Sequence, residues 1–159
     1  MPPRVDLTAP WVIVKVGEQC YAISTKHARE MIPCPEITRV PHTDPSVRGV
    51  INLRGQVMPL LDLRRKLGLP RPPEDLREIA VVLGDDRAKA AAVVDSVVAV
   101  EQLDPSQVAG IGDLDAQVDA QGEAGLISGV GRRGADRNIV LLIDAEWLIA
   151  HANHPGPAA

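Results

Sequence analysis

The feature that most constrains this chain is a pattern that occurs twice. The stretch RGVINLRGQVMPLLDLRRKLG at 48–68 is echoed by GVGRRG and IVLLIDAEWLI further on. Gly49-Val50 answers Gly129-Val130, Arg54-Gly55 answers Arg133-Gly134, and Asp62 answers Asp144, 82 residues later. Upstream, KVGEQCYAI resembles VLGDDRAKAAAV, with Gly17 and Gly84 separated by 67. The difference of 15 equals the length of segment 109–123, so one insertion reconciles both spacings. A unit used twice predicts two lobes of similar topology, each of about five short strands, as in small Greek-key or SH3-like barrels.

Local signals fill in each unit. WVIVKVG (11–17) and CYAIS (20–24) are β-branched or alternating and read as strands. TKHAREMI (25–32), with Thr25 as a candidate cap, reads as a brief helix before Pro33. Val50–Leu53 and Gln56–Leu61 form a hairpin around Arg54-Gly55. Pro59 cannot donate to a ladder, so its strand is expected at an edge or with a bulge there. Asp62 can cap a short helix that ends at Gly68, with Arg64, Arg65 and Lys66 at its negative end. EIAVVLG, DDRAKAAAVVD and SVVAVEQL give three more strand-like runs, and 104–125 reads as a long polar loop. A hairpin over 126–144 and a closing helix over 144–150 complete the unit, and 151–159 is expected to be a disordered tail. Residues 1–10 are a lead, lobe one spans roughly 11–76 and lobe two roughly 77–144; the first strand can pair with either lobe.

Composition agrees with a β-rich core. Apolar residues make up 45% but aromatics only 2%, so Val, Leu, Ile and Ala must build the interior. The net charge of −4 is uneven, with 12 Lys/Arg against 9 Asp/Glu in residues 1–80 and 5 against 12 in 81–159. An acidic chain this poor in aromatics is badly equipped for phosphate backbones or base stacking, which disfavours an SH3-like nucleic-acid-binding barrel. No apolar stretch is long enough to cross a bilayer, and the lead lacks the apolar core of a secretory signal. A cytoplasmic protein is the expectation.

Catalytic chemistry is searched for and not found. No G-x-S-x-G elbow or phosphate cradle occurs. His27, Cys34 and His42 stand 7 and 8 apart, unlike close zinc ligand pairs. A calcium loop begun at Asp113 would need Gly at its sixth position and Glu at its twelfth, where Val118 and Ala124 stand. No enzyme activity, metal or cofactor is expected.

VGEQCYAI followed by AREM, PEITRVP, RGVINLRGQVMPLLDLR and GLISGVGRRGADRNIVLLIDAEWLI, in that order over about 11–150, resembles the CheW-like family of chemotaxis adaptors. The resemblance implies two SH3-like five-stranded β-barrel lobes with a core between them, and the local signals add short helices after residues 25 and 62 and at the C-terminus to this mainly β fold. It implies a non-enzymatic adaptor coupling the cytoplasmic tip of a chemoreceptor to the regulatory domain of a CheA-type histidine kinase, with other CheW-like domains as further ring partners. It implies no direct membrane insertion, only recruitment to receptor arrays. A protein that binds receptor without engaging the kinase is the same-fold alternative. Carried over singly, the receptor-facing residues are Ala28, Glu30, Gly49 and Arg54, with Met31 and Val50 as apolar neighbours and Asn52 and Gly55 beside Arg54. No kinase-contact residue is assigned. Ala28 stands where the family commonly has a larger β-branched residue, Ser96 replaces a customary Gly, and the loop 109–123 matches nothing in the family.

Overall fold

The computed structural model describes residues 5–41, 45–85, 89–110 and 125–153. The element order is β1 (Trp11–Val16), β2 (Gln19–Ser24), β3 (Ala28–Pro33), β4 (Val47–Leu53), β5 (Gln56–Asp62), α1 (Leu63–Lys66), β6 (Ile79–Gly84), β7 (Lys89–Val94) and β8 (Ser96–Glu101), continuing through a 3₁₀ turn (Pro105–Gln107), β9 (Val108–Gly110), β10 (Ile127–Arg133), β11 (Asn138–Ile143) and α2 (Ala145–Asn153). Two sheets form, ordered β8-β1-β2-β11-β10-β9 and β3-β6-β7-β5-β4. The mainly β, two-lobed expectation therefore holds.

The sheets divide the chain differently from a cut near residue 76. Hairpin β1–β2 joins the strands of the second half, and hairpin β6–β7 joins those of the first. The exchange has a packing cause. In β1, Trp11 and Ile13 belong to one core cluster while Val12, Val14 and Val16 belong to another. In β6, Ala80 and Val82 line the first lobe's interior, and Val81 and Leu83 face the other way. Strands apolar on both faces must be covered on both, so these hairpins lie between a barrel interior and the core shared by the lobes. Each inserts through a parallel junction, Leu60 opposite Ala91 and Leu142 opposite Ala22. Leu60 and Leu142 are 82 apart, the spacing of Asp62 and Asp144.

Other equivalences follow from the register. Asp62 accepts from the Arg65 amide, and Asp144 from the Trp147 amide, so both cap the helix that follows. Val50 bridges Thr38 where Val130 pairs with Ala109. A Cβ on Gly49 would lie 2.2 Å from the Thr38 carbonyl oxygen, and one on Gly129 2.7 Å from that of Ala109. Both glycines are needed because a neighbouring backbone crosses directly over them.

Four local expectations are corrected. The brief helix expected after residue 25 is strand β3, paired from Ala28 to Leu83 through Pro33 to Ile79. Thr25 is no cap, since its hydroxyl donates to the Pro10 carbonyl. Helix-tolerant Ala, Arg, Glu and Met here yield to pairing with β6. Pro59 lies in β5, which is flanked by β4 and β7, but pairing with β7 begins only at Leu60. Val50, opposite Pro59, spends its own N–H and C=O on Thr38, so the ladder loses no bond at Pro59. The polar stretch from 104 begins with the 3₁₀ turn and β9; the rest of the expected loop 109–123, from 111 onward, lies outside the described residues. Finally, α2 runs on to Asn153, and the expected tail beyond it lies outside the described residues. The lead is not idle either, because Val5 and Leu7 pack on the second lobe's core.

Candidate functional site

The first hairpin's tip is built by a two-residue turn in which Arg54 and Gly55 both have positive φ, 51° and 86°. A right-twisted hairpin favours such a turn. Asn52 fixes it by accepting the Gly55 amide at 2.9 Å. The turn sends the Arg54 side chain across the open end of the barrel toward β3, the far edge of the same sheet. There its two terminal nitrogens donate to the two oxygens of Glu30 at 2.9 and 2.6 Å. This fork is the strongest geometry available to an Arg–carboxylate pair.

Glu30 pairs with Val82 and so faces the barrel interior. Met31 pairs with Val81 and faces the opposite side, 38% exposed. The mouth is a shallow depression of about 410 Å³ with Arg29, Met58 and Lys89 also on its wall. Hydrogen bonds from Arg54 hold the Glu30 carboxyl below the usual carboxylate range, and Glu30 in turn raises the Arg54 guanidinium. Arg54 remains 71% exposed, and two of its five N–H donors suffice for Glu30, leaving donors for a partner.

The structure sorts the expected site residues into groups. Glu30, Arg54 and Gly55 gather at the mouth. Val50 and Asn52 lie on the outer face of β4, since the intervening Ile51 is in the barrel core. Ala28 packs against the core shared by the lobes. Gly49 is buried under Thr38, so the backbone crossing alone already requires a glycine there.

Polar clusters that sequence reasoning did not single out hold this frame. Arg48 bonds Asp62 at 3.0 Å and both oxygens of Glu78 at 2.7 and 2.9 Å. Arg64 bonds both oxygens of Asp95, which also accepts the Gly17 amide. Asp95 is the single residue between β7 and β8, where the chain crosses from one sheet to the other. The second lobe's mouth has its own pair, Arg133 to Glu101 at 2.5 Å. No local pattern marks these pairs, because partners lie 30 or more residues apart, apart from Arg48–Asp62. Among the described residues no group of three potential metal ligands occurs, and no helix is long and apolar enough to cross a membrane.

Comparison with known proteins completes the description. The family described as CheW-like domain matches residues 10–153. A probable chemotaxis protein CheW of Rhizobium etli is 24% identical over 139 residues, covering 87% of this chain and 86% of that one. The chemotaxis protein CheW of Klebsiella aerogenes is 26% identical over 140 residues, covering 88% and 81%. The crystal structure of the scaffolding protein TtCheW from Thermoanaerobacter tengcongensis aligns with a TM-score of 0.73 at 20% identity, covering 86% of this chain and 84% of that one.

Proposed function

The chain belongs to the CheW-like domain family, and from that premise we propose that it couples the cytoplasmic tip of a chemoreceptor to the regulatory domain of a CheA-type histidine kinase. The family is one of scaffolds, and the protein is not an enzyme. In this reading the protein works in the cytoplasm, recruited to receptor arrays, and the first lobe's mouth meets the receptor.

The observation that carries the reading is the Arg54–Glu30 fork, exposed on its arginine side at the tip of a rigid hairpin. A receptor tip is a helical surface, and a helix is held by apolar anchors plus charged groups that fix its register. Glu30 sets the direction of the guanidinium, and Arg54 offers its remaining donors. Met31, Val50 and Asn52 flank the contact on the neighbouring faces, with Ala28 and Gly49 beneath as support.

Co-precipitation of the full chain with a receptor-tip fragment and with the kinase regulatory domain tests this. Arg54→Ala and Glu30→Ala should each weaken receptor capture while the kinase domain is still retained. Receptor binding and kinase activation untouched by Arg54→Ala would show the site to be misplaced.

A further inference from the structure

Each lobe's hairpin glycine lies under a β-branched side chain, but the two covers are fastened differently. Over Gly49 it is Ile37, next in the chain to Thr38, whose carbonyl crosses that glycine. The Ile37 segment is tied on both sides, by the Cys34 amide to the Glu78 carbonyl and by Thr38 to both main-chain groups of Val50. Over Gly129 the crossing carbonyl belongs to Ala109, and the cover is Val5, brought from the N-terminal lead. Val5 and Leu7 lie half-buried on the second lobe's core, and the lead enters no strand. Side chains hold it instead: the Trp11 indole donates to the Asp6 carbonyl at 3.0 Å, Gln102 donates to the Leu7 carbonyl at 2.6 Å, and Lys26 donates to the Asp6 carboxylate. A segment held in this way opens at lower free energy than a strand within a ladder.

The duplicated frame gives Lys26 a second seat. Ala28 pairs with Leu83 beside a bulge, as Val97 pairs with Val14. Lys26 and Asp95, each two residues earlier, are therefore equivalent, and so are Glu146 and Arg64, each two residues after a capping aspartate. The Arg64–Asp95 pair is made and nearly buried, its side chains 10% and 13% exposed. Its charge-reversed counterpart would join Glu146 to Lys26, but Lys26 turns to Asp6 instead. Glu146 stays 74% exposed, 3.5 Å from His27 Nε2. Asp6, Lys26, His27 and Glu146 line one depression of about 400 Å³, so both carboxylates border the space that holds the ammonium.

We propose that the lead is a displaceable strap over the second lobe, latched by Lys26 on Asp6, and that its release passes the ammonium to Glu146. In the closed state Val5 covers Gly129 and Leu7 lies on the barrel core. In the open state the lead departs, that end of the barrel core is bared, and Lys26 pairs with Glu146 as Asp95 pairs with Arg64. The ion pair gained offsets the one lost, which keeps the open state within reach of the closed one. The first lobe has no such device, because its cover is fastened on both sides of Ile37.

Hydrogen exchange of the full chain, followed by NMR, tests the strap at the Trp11 indole N–H, whose acceptor is the Asp6 carbonyl. The Trp147 indole and the core amides of Leu61 and Ala92 serve as references. In the wild type, Trp11 should be protected about tenfold less, or weaker still, than those core amides. Lys26→Gln should speed its exchange about threefold, the scale of one solvent-exposed ion pair, with the references unmoved. Val5→Ser should speed it further by loosening the apolar hold. Glu146→Gln should slow it about twofold, because the open state then loses its own pair. Wild-type Trp11 protected as fully as the core overturns the strap, and Lys26→Gln without effect overturns the latch. Trp11 exchange unchanged or quickened by Glu146→Gln overturns the second seat.

Discussion

Both barrel mouths are closed by an arginine–glutamate fork, yet the two forks are not the same device. Counting from the buried glycines, Gly49 to Leu53 matches Gly129 to Arg133, so Arg133 occupies the place of Leu53, not of Arg54. On the facing strands, Glu30 follows a bulge and pairs with Val82, as Ala99 follows one and pairs with Ile13. Glu101 therefore occupies the place of Ile32. At the places that form the second lobe's ion pair, the first lobe has two apolar side chains, Leu53 and Ile32, each packed on its barrel core, and it makes its ion pair from other positions. The consequence is accessibility: Arg54 is 71% exposed and Arg133 22%. A duplicated frame is preserved by backbone needs such as the two glycines, and the chemistry at its ends is free to diverge.

The largest effects should come from the shared frame. Gly49→Ala places a Cβ against a backbone oxygen at a positive φ, and unfolding by urea should show a loss of about 3 kcal/mol or more. Gly129→Ala meets a carbonyl at the longer distance and without positive φ, so its loss should be about half of that. Equal losses would remove the asymmetry inferred between the two crossings. Next comes the contrast between forks. Arg54→Ala should weaken receptor binding about tenfold, the scale of about 1.4 kcal/mol for one charge-assisted contact. Arg133→Ala should leave that affinity unchanged and cost about 1 kcal/mol of stability, its fork being partly solvated. If the two exchange behaviours, the receptor face belongs to the other lobe.

Smaller effects sharpen the first hairpin alone. Asn52→Ala removes the bond to the Gly55 amide and should cost about 0.5–1.5 kcal/mol in thermal unfolding. Glu30 should titrate below its ordinary 4.5 in an NMR pH series and return toward that value in Arg54→Ala. Because its folded value is the lower one, the fork's contribution is present above the unfolded carboxylate range and fades as pH falls through the folded value. An unchanged Glu30 midpoint in the variant would show that Arg54 does not hold the carboxylate in solution.

Much of this was legible in the residues because it is local. Hairpin turns, the Asp62 and Asp144 caps, and the spacing of 82 all follow from turn chemistry, capping and repetition within short windows. The resemblance also brought Glu30 and Arg54 together as the polar members of one site. Their contact was not legible, since they stand 24 residues apart on opposite edges of a curled sheet. Nor was the one-residue offset that sets Arg133 in Leu53's place, because an Arg-Gly pair looks alike whether it lies in a turn or ends a strand.

The amino-acid sequence by itself determined that there are two similar units and where their hairpins turn. Tertiary structure alone decided that the hairpins β1–β2 and β6–β7, covered on both faces, change places between the units and that AREMIP extends as an edge strand. It also decided that Gly49 serves the Thr38 crossing. The reason is range: turns and caps satisfy groups a few residues away, whereas strand partnership is settled by which apolar faces cover each other once the lobes have met.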